Sequence, residues 1–307
     1  MKRTGQQAPR SARIALLLCA GAVAGLTLVR MAISALSIGG LAAILIQALG
    51  LVLFAFAPSV LGLLVLDGDQ THVVRFASLN AAQIALYGAT GILAVFPAAL
   101  LGGLLEMIAQ SFMAAVSSAI GALAASATAE ALTPGASLFL PMLLCHALLA
   151  PVGEELFFRG YLLGIWERGG QKTAMLATSL LFALAHGLGS MTPVYLLLGL
   201  LFALLAQRAD SVLASMLAHA VYNAALVALE FLGAGALLHV GSLPACAVLL
   251  LGSAMFVAVL WRALALRPGI KRARVWDGRG LSRREITLLA GAGIALLASL
   301  IVGGFVK

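Results

Sequence analysis

Six polar residues stand in stretches that are otherwise almost wholly apolar: Glu154, Glu155 and Arg159 in one, His186 in the next, and His219 with Asn223 in a third. Two carboxylates, two imidazoles and an amide, without an evident nucleophilic Ser or Cys, suit activation of water by a general base and stabilisation of an oxyanion. That chemistry is hydrolysis. The spacing has an internal logic. Glu155 and Arg159 are four residues apart and can pair on one helix face, whereas Glu154 projects about 100° around the helix and keeps a free carboxylate. One acid is structural and one is available. His219 and Asn223 are also four apart, so an imidazole and an amide lie one turn apart and aim at one point.

Membrane helices must carry these groups. Of 307 residues, 63% are hydrophobic and 10% charged, with mean hydropathy +1.10, more apolar side chain than a soluble fold can bury. At roughly 20 residues per span, the apolar runs 14–36, 41–66, 80–105, 136–165, 173–190, 192–207, 211–233, 240–264 and 286–306 predict an all-α, polytopic transmembrane bundle of about nine spans, within eight to ten. The Ala/Ser-rich stretch 106–133 reads as an external connector. Residues 1–135 then form N-terminal helices with that connector, 136–233 a core, and 234–307 C-terminal helices with a basic cytoplasmic loop at 266–285. The opening basic segment and the apolar run after it read as an uncleaved signal anchor.

The net charge of +8 comes from Lys and Arg gathered at the N-terminus and between Arg262 and Arg284. Basic segments flanking apolar spans follow the positive-inside rule, so the charge reports topology and contact with anionic lipid, not nucleic-acid binding. The excess of Arg over Lys, with abundant Ala, Leu and Gly, favours a bacterial inner membrane. Cys19, Cys145 and Cys246 lie in apolar stretches without Cys-x-x-Cys spacing, so neither a disulfide framework nor a thiolate metal site is expected.

Each ionisable group well inside a span costs at least ~2.5–3.5 kcal/mol, which makes such residues functional by default. With the N-terminus cytoplasmic and ~1.5 Å of rise per residue, Glu154 lies about 16 Å deep, His186 about 20, His219 about 12 and Asn223 about 18. Three helices thus bring their polar residues to one layer. The competing readings are a buried ion pair with histidines that merely join helices, and a transporter's proton relay. Other intramembrane protease signatures are missing. There is no His-Glu-x-x-His; Asp67-Gly68-Asp69 lies in a loop; Ser137 sits near a span end.

Glu154-Glu155-x-x-x-Arg159, Phe182-x-x-x-His186 and His219-x-x-x-Asn223, in that order on successive apolar helices, resemble the CAAX protease and bacteriocin-processing (CPBP, or Abi) family of intramembrane endopeptidases, which includes the type II CAAX prenyl endopeptidase. The resemblance covers roughly 136–233. It implies that Glu154 is the general base, oriented with His186 to activate water, and that His219 and Asn223 bind the oxyanion. Glu155 and Arg159 would organise the first motif, with Arg159 helping to keep a desolvated carboxylate ionised. It further implies a membrane-associated protein or lipidated peptide as substrate, prenylated CAAX ends being one class; the depth of the polar layer places the opening of the site toward the cytoplasm. A metal-free glutamic mechanism is favoured; a zinc site on Glu154, His186 and His219 is the other option, since Glu and His are ordinary zinc ligands. A non-catalytic immunity or scaffold protein is the functional alternative.

Among the remaining polar residues, His146 reads as a hydrogen-bonded span histidine and Glu230 as an interfacial acid. His72 and His239 read as solvated loop or span-end residues, and Gly160 with Gly164 as a small-residue pair for close helix packing.

Overall fold

A computed structural model describes residues 7–65, 73–120, 135–167 and 170–266. Helix α1 is Gln7–Ala35, and α2 runs from Gly40–Leu51 through a π-helical turn, Val52–Phe56, into Ala57–Val65. Then come α3 (Ala81–Leu93), α4 (Val95–Ile120), α5 (Ala136–Trp166), α6 (Gln171–Ala185), α7 (Thr192–Ala209), α8 (Val212–Phe231) and α9 (Leu243–Ala265). The described residues contain no strand, only one bridge between Phe76 and Ser211. Seven of the described helical stretches are long and apolar enough to cross a membrane. The protein is an integral, multi-pass membrane protein.

Two expectations about the spans change, and a third falls outside the described residues. The apolar run 173–190 does not continue as one helix: α6 stops at Ala185 because Gly187 takes φ +102°, which a residue with a Cβ rarely adopts. The connector expected to begin at Glu106 is helical in its first part, since α4 runs unbroken to Ile120, and the remainder of 106–133 lies outside the described residues. The run 286–306 and most of the basic loop 266–285 lie outside them as well.

Local sequence sets the helix ends. Asn80 and Gln83 form a reciprocal capping box at the start of α3, and the Ser211 and Ser242 hydroxyls cap α8 and α9. Asp210 closes α7 in a left-handed conformation, φ 51°. Near that end Arg75 pairs with Glu167 at 3.0 Å and Asp210 at 3.2 Å, and its carbonyl accepts from Val212 N–H. One buried cation thus ties the loop before α3 to the ends of α5 and α7.

Helix α5 is uneven in a way that matters to the motif it bears. Pro151 has no N–H to give, and a π-helical segment, Leu143–Leu149, precedes it. A second, Leu156–Leu162, follows, so Glu154 and Glu155 occupy the short α-helical turn Ala150–Glu155 between two wide ones. Gly160 and Gly164 face the chain at Val73 and Val74, where a Cβ on Gly164 would strike the Val73 carbonyl. The small pair therefore admits a crossing loop and not the close helix contact expected of it.

Candidate active site

The core beside α5 is aromatic. Phe157, Phe158, Tyr161, Phe182 and Phe202 are buried, and Arg159 lies among them, itself only 1% exposed. Its guanidinium centre sits 4.3 Å from the Phe182 ring centroid, with Phe158 and Phe202 at 5.8 and 5.7 Å. Such faces attract a cation and shield it from lipid. Arg159 Nη1 donates to Glu155 Oε1 at 2.8 Å, the i, i+4 pair the spacing predicts, and Nη2 donates to the Gly199 carbonyl at 2.9 Å. That carbonyl is reachable because α6 and α7 run close together at Gly199, where a Cβ would come within 3.1 Å of the Ser179 backbone.

Glu155 has a second partner: His219 Nδ1 donates to the same Oε1 at 2.9 Å. The ion pair of α5 is thereby joined to the histidine of α8. His219 also stacks on Phe202 at 4.6 Å between centroids and 18° between planes. Its ring is therefore fixed in direction, with Nε2 left for other work.

Glu154, next in the chain, faces another way. Its Oε2 is buried and has no hydrogen-bond partner among the described residues, and His186 Nε2 lies 3.7 Å from it, beyond direct hydrogen-bond distance. The other nitrogen, His186 Nδ1, contacts the Phe182 carbonyl at 2.9 Å. A carbonyl only accepts, so Nδ1 carries the proton and Nε2 of the neutral ring presents a lone pair. Tyr195 stacks on the His186 ring, 4.5 Å away at 28°.

All four groups reach one cavity of about 470 Å³, lined by Glu154, His186, His219 and Asn223 together with apolar walls from α2, α5, α7 and α8. Asn223 Nδ2 donates one hydrogen to the His146 carbonyl at 2.7 Å, which leaves its second N–H. His146 enters the site through its backbone, and both it and Glu230 line the wall. The cysteines stay apart from the motifs: Cys145 is buried, with Sγ 3.7 Å from the Ile44 carbonyl. His72 lies outside the described residues, and His239 is exposed. Among the described residues, no group of three His, Cys, Asp or Glu is placed to hold a metal ion.

Three further cavity residues, outside the motifs, touch the site. Tyr195 and Phe202 carry no signal of their own, being aromatic residues on an apolar helix. Arg30 did carry one, as the lone charge within the apolar span Leu17–Ala35. Its guanidinium donates to the Ala185 carbonyl, and it lines the cavity.

No curated protein and no solved structure matches the chain. A family model does, over residues 136–225, just under a third of the length. That segment holds all three motifs, and it is similar to the type II CAAX prenyl endopeptidases, described as Rce1-like, a family of CAAX-type intramembrane proteases.

Proposed function

We propose that the protein is an intramembrane endopeptidase that hydrolyses a peptide bond of a membrane-associated protein or lipidated peptide, with prenylated CAAX ends as one candidate class. The observation that carries this is the pairing of a buried carboxylate oxygen, Glu154 Oε2, with a lone pair on His186 Nε2 at 3.7 Å. Two acceptors at that separation suit a water molecule that donates one hydrogen to each and directs its own lone pairs outward. Glu154 takes a proton as the water oxygen adds to the substrate carbonyl carbon. The carbonyl oxygen becomes an oxyanion, bound by the second N–H of Asn223 and by an N–H at His219 Nε2. Glu154 then returns its proton to the departing amine as the C–N bond breaks. Arg159 holds Glu155 in place and touches no reacting atom.

This route is metal-free. The positive-inside pattern supports an orientation with the site opening to the cytoplasmic side, in the inner membrane of a bacterium. The test is cleavage of a fluorogenic, C-terminally prenylated CAAX peptide by the detergent-purified protein, beside Glu154→Ala, with and without a metal chelator. Cleavage by the wild type, abolished in Glu154→Ala and unchanged by chelator, is the expected result. Activity lost to chelator and restored by zinc would overturn the metal-free route, and full activity in Glu154→Ala would overturn the assignment of the base.

A further inference from the structure

An α-helix leaves its last four carbonyls without helical partners, and inside a membrane no bulk water is at hand to satisfy them. Helix α6 has 15 residues, about 22 Å at 1.5 Å per residue, so it ends short of a ~30 Å hydrocarbon core. Its terminal carbonyls can be followed one by one. Phe182 O takes His186 Nδ1–H, Ala183 O takes His186 N–H at 3.1 Å, and Leu184 O takes Gly187 N–H at 3.0 Å. The last, Ala185 O, takes the guanidinium of Arg30 from α1.

We infer that Arg30 is a positioning residue that anchors the end of α6 and thereby sets His186 against Glu154, so that α1 completes a catalytic unit whose motifs all lie in 136–225. Four features support it. The anchored carbonyl belongs to the residue immediately before His186, and the same turn supplies the acceptor that fixes the His186 ring. A cation at a helix C-terminus also matches the dipole there. The charge costs free energy in an apolar span, which packing of α1 alone does not require. Finally, Arg30 shares the cavity with Glu154 and Tyr195 and interacts electrostatically with both.

The inference rests on Glu154 and His186 being the catalytic pair, so its test needs one arm that reads activity and one that does not. Arg30→Gln removes a charge from a span and so does not impede insertion. It is expected to lower kcat about 10- to 100-fold, with KM changed less than about two-fold, and Arg30→Lys is expected to recover most of the loss, since small displacements of a catalytic group cost factors of this size. In the second arm, diethyl pyrocarbonate labels the folded proteins and mass spectrometry reads each histidine. Release of the α6 end should raise labelling of His186 at least about three-fold relative to the exposed His239 of the same sample. Unchanged labelling of His186, or a rise in KM with kcat intact, overturns the inference. Should the wild type cleave nothing, the protease reading fails and the labelling ratio alone decides whether Arg30 anchors His186.

Discussion

Glu154 Oε2 lies 3.7 Å from His186 Nε2, the ring nitrogen left without a proton because Nδ1–H is given to the Phe182 carbonyl. The two residues come from α5 and the end of α6, and nothing in either helix alone would bring them together. If they share a water, removing the imidazole acceptor should disarm the base without disturbing the fold. His186→Ala is expected to lower kcat by about 10²- to 10⁴-fold, the usual range for a general acid–base partner, at unaltered membrane insertion. Steady-state kinetics on protein matched by extraction yield from membranes checks both halves. Protein lost from the membrane would instead make His186 a packing residue.

Arg159 offers a contrasting prediction, on stability. Its side chain and that of Glu155 are fully buried, and it binds a carboxylate and a carbonyl while lying over an aromatic face. Truncating one member of such a pair strands the other's charge. Arg159→Met is therefore expected to destabilise the protein by about 3–5 kcal/mol, whereas Glu155→Leu combined with Arg159→Met should be milder than Arg159→Met alone. Denaturation in mixed micelles, followed by the intrinsic fluorescence of buried Trp166, gives the comparison. Equal losses in the single and double variants would contradict the stranded-charge account.

The local part of this site was legible and the tertiary part was not. Four-residue spacing on one helix is geometry the chain carries in itself, so Glu155 with Arg159 could be paired before any fold was known. Depth along apolar runs likewise brought Glu154, His186, His219 and Asn223 to one layer. What the spacing could not convey is that Glu155 serves two partners, since the second arrives from α8. Nor could hydropathy alone find the end of α6, because Leu188 prolongs the apolar run while a single dihedral at Gly187 turns the chain. Phe202 and Tyr195 look like any aromatic residue in a membrane helix, and only packing reveals that each holds a histidine ring. Arg30 was visible as an anomaly, but its partner is a backbone carbonyl 155 residues away, which no motif encodes.

From the stacking of Phe202 on His219, 4.6 Å between centroids, a graded effect is expected. Leu at this position keeps the apolar volume roughly intact but loses the planar face. An aromatic pair contributes about 0.5–1.5 kcal/mol beyond area burial, so Phe202→Leu should slow turnover by about 2- to 12-fold while leaving expression unaffected. Comparison of kcat in the wild type, Phe202→Leu and Phe202→Tyr separates the ring face from simple volume, since Tyr preserves the face. A loss in Phe202→Tyr as large as in Phe202→Leu would show that the stack does not orient His219.

Asn223 holds its amide by one hydrogen bond, from Nδ2 to the His146 carbonyl at 2.7 Å, and the side chain lines the cavity beside His219. That bond orients the amide plane, and the remaining N–H is the one available to a developing oxyanion. Because an oxyanion donor acts on charge that appears only in the transition state, Asn223→Leu is expected to lower kcat by about 10²- to 10³-fold with little change in KM. The His146 side chain contributes nothing to this bond, so His146→Leu should leave kcat within about three-fold of wild type. Measuring kcat and KM for both variants on one peptide provides the check. An Asn223→Leu enzyme that loses affinity but keeps its turnover would place the amide in substrate binding and remove it from the oxyanion site.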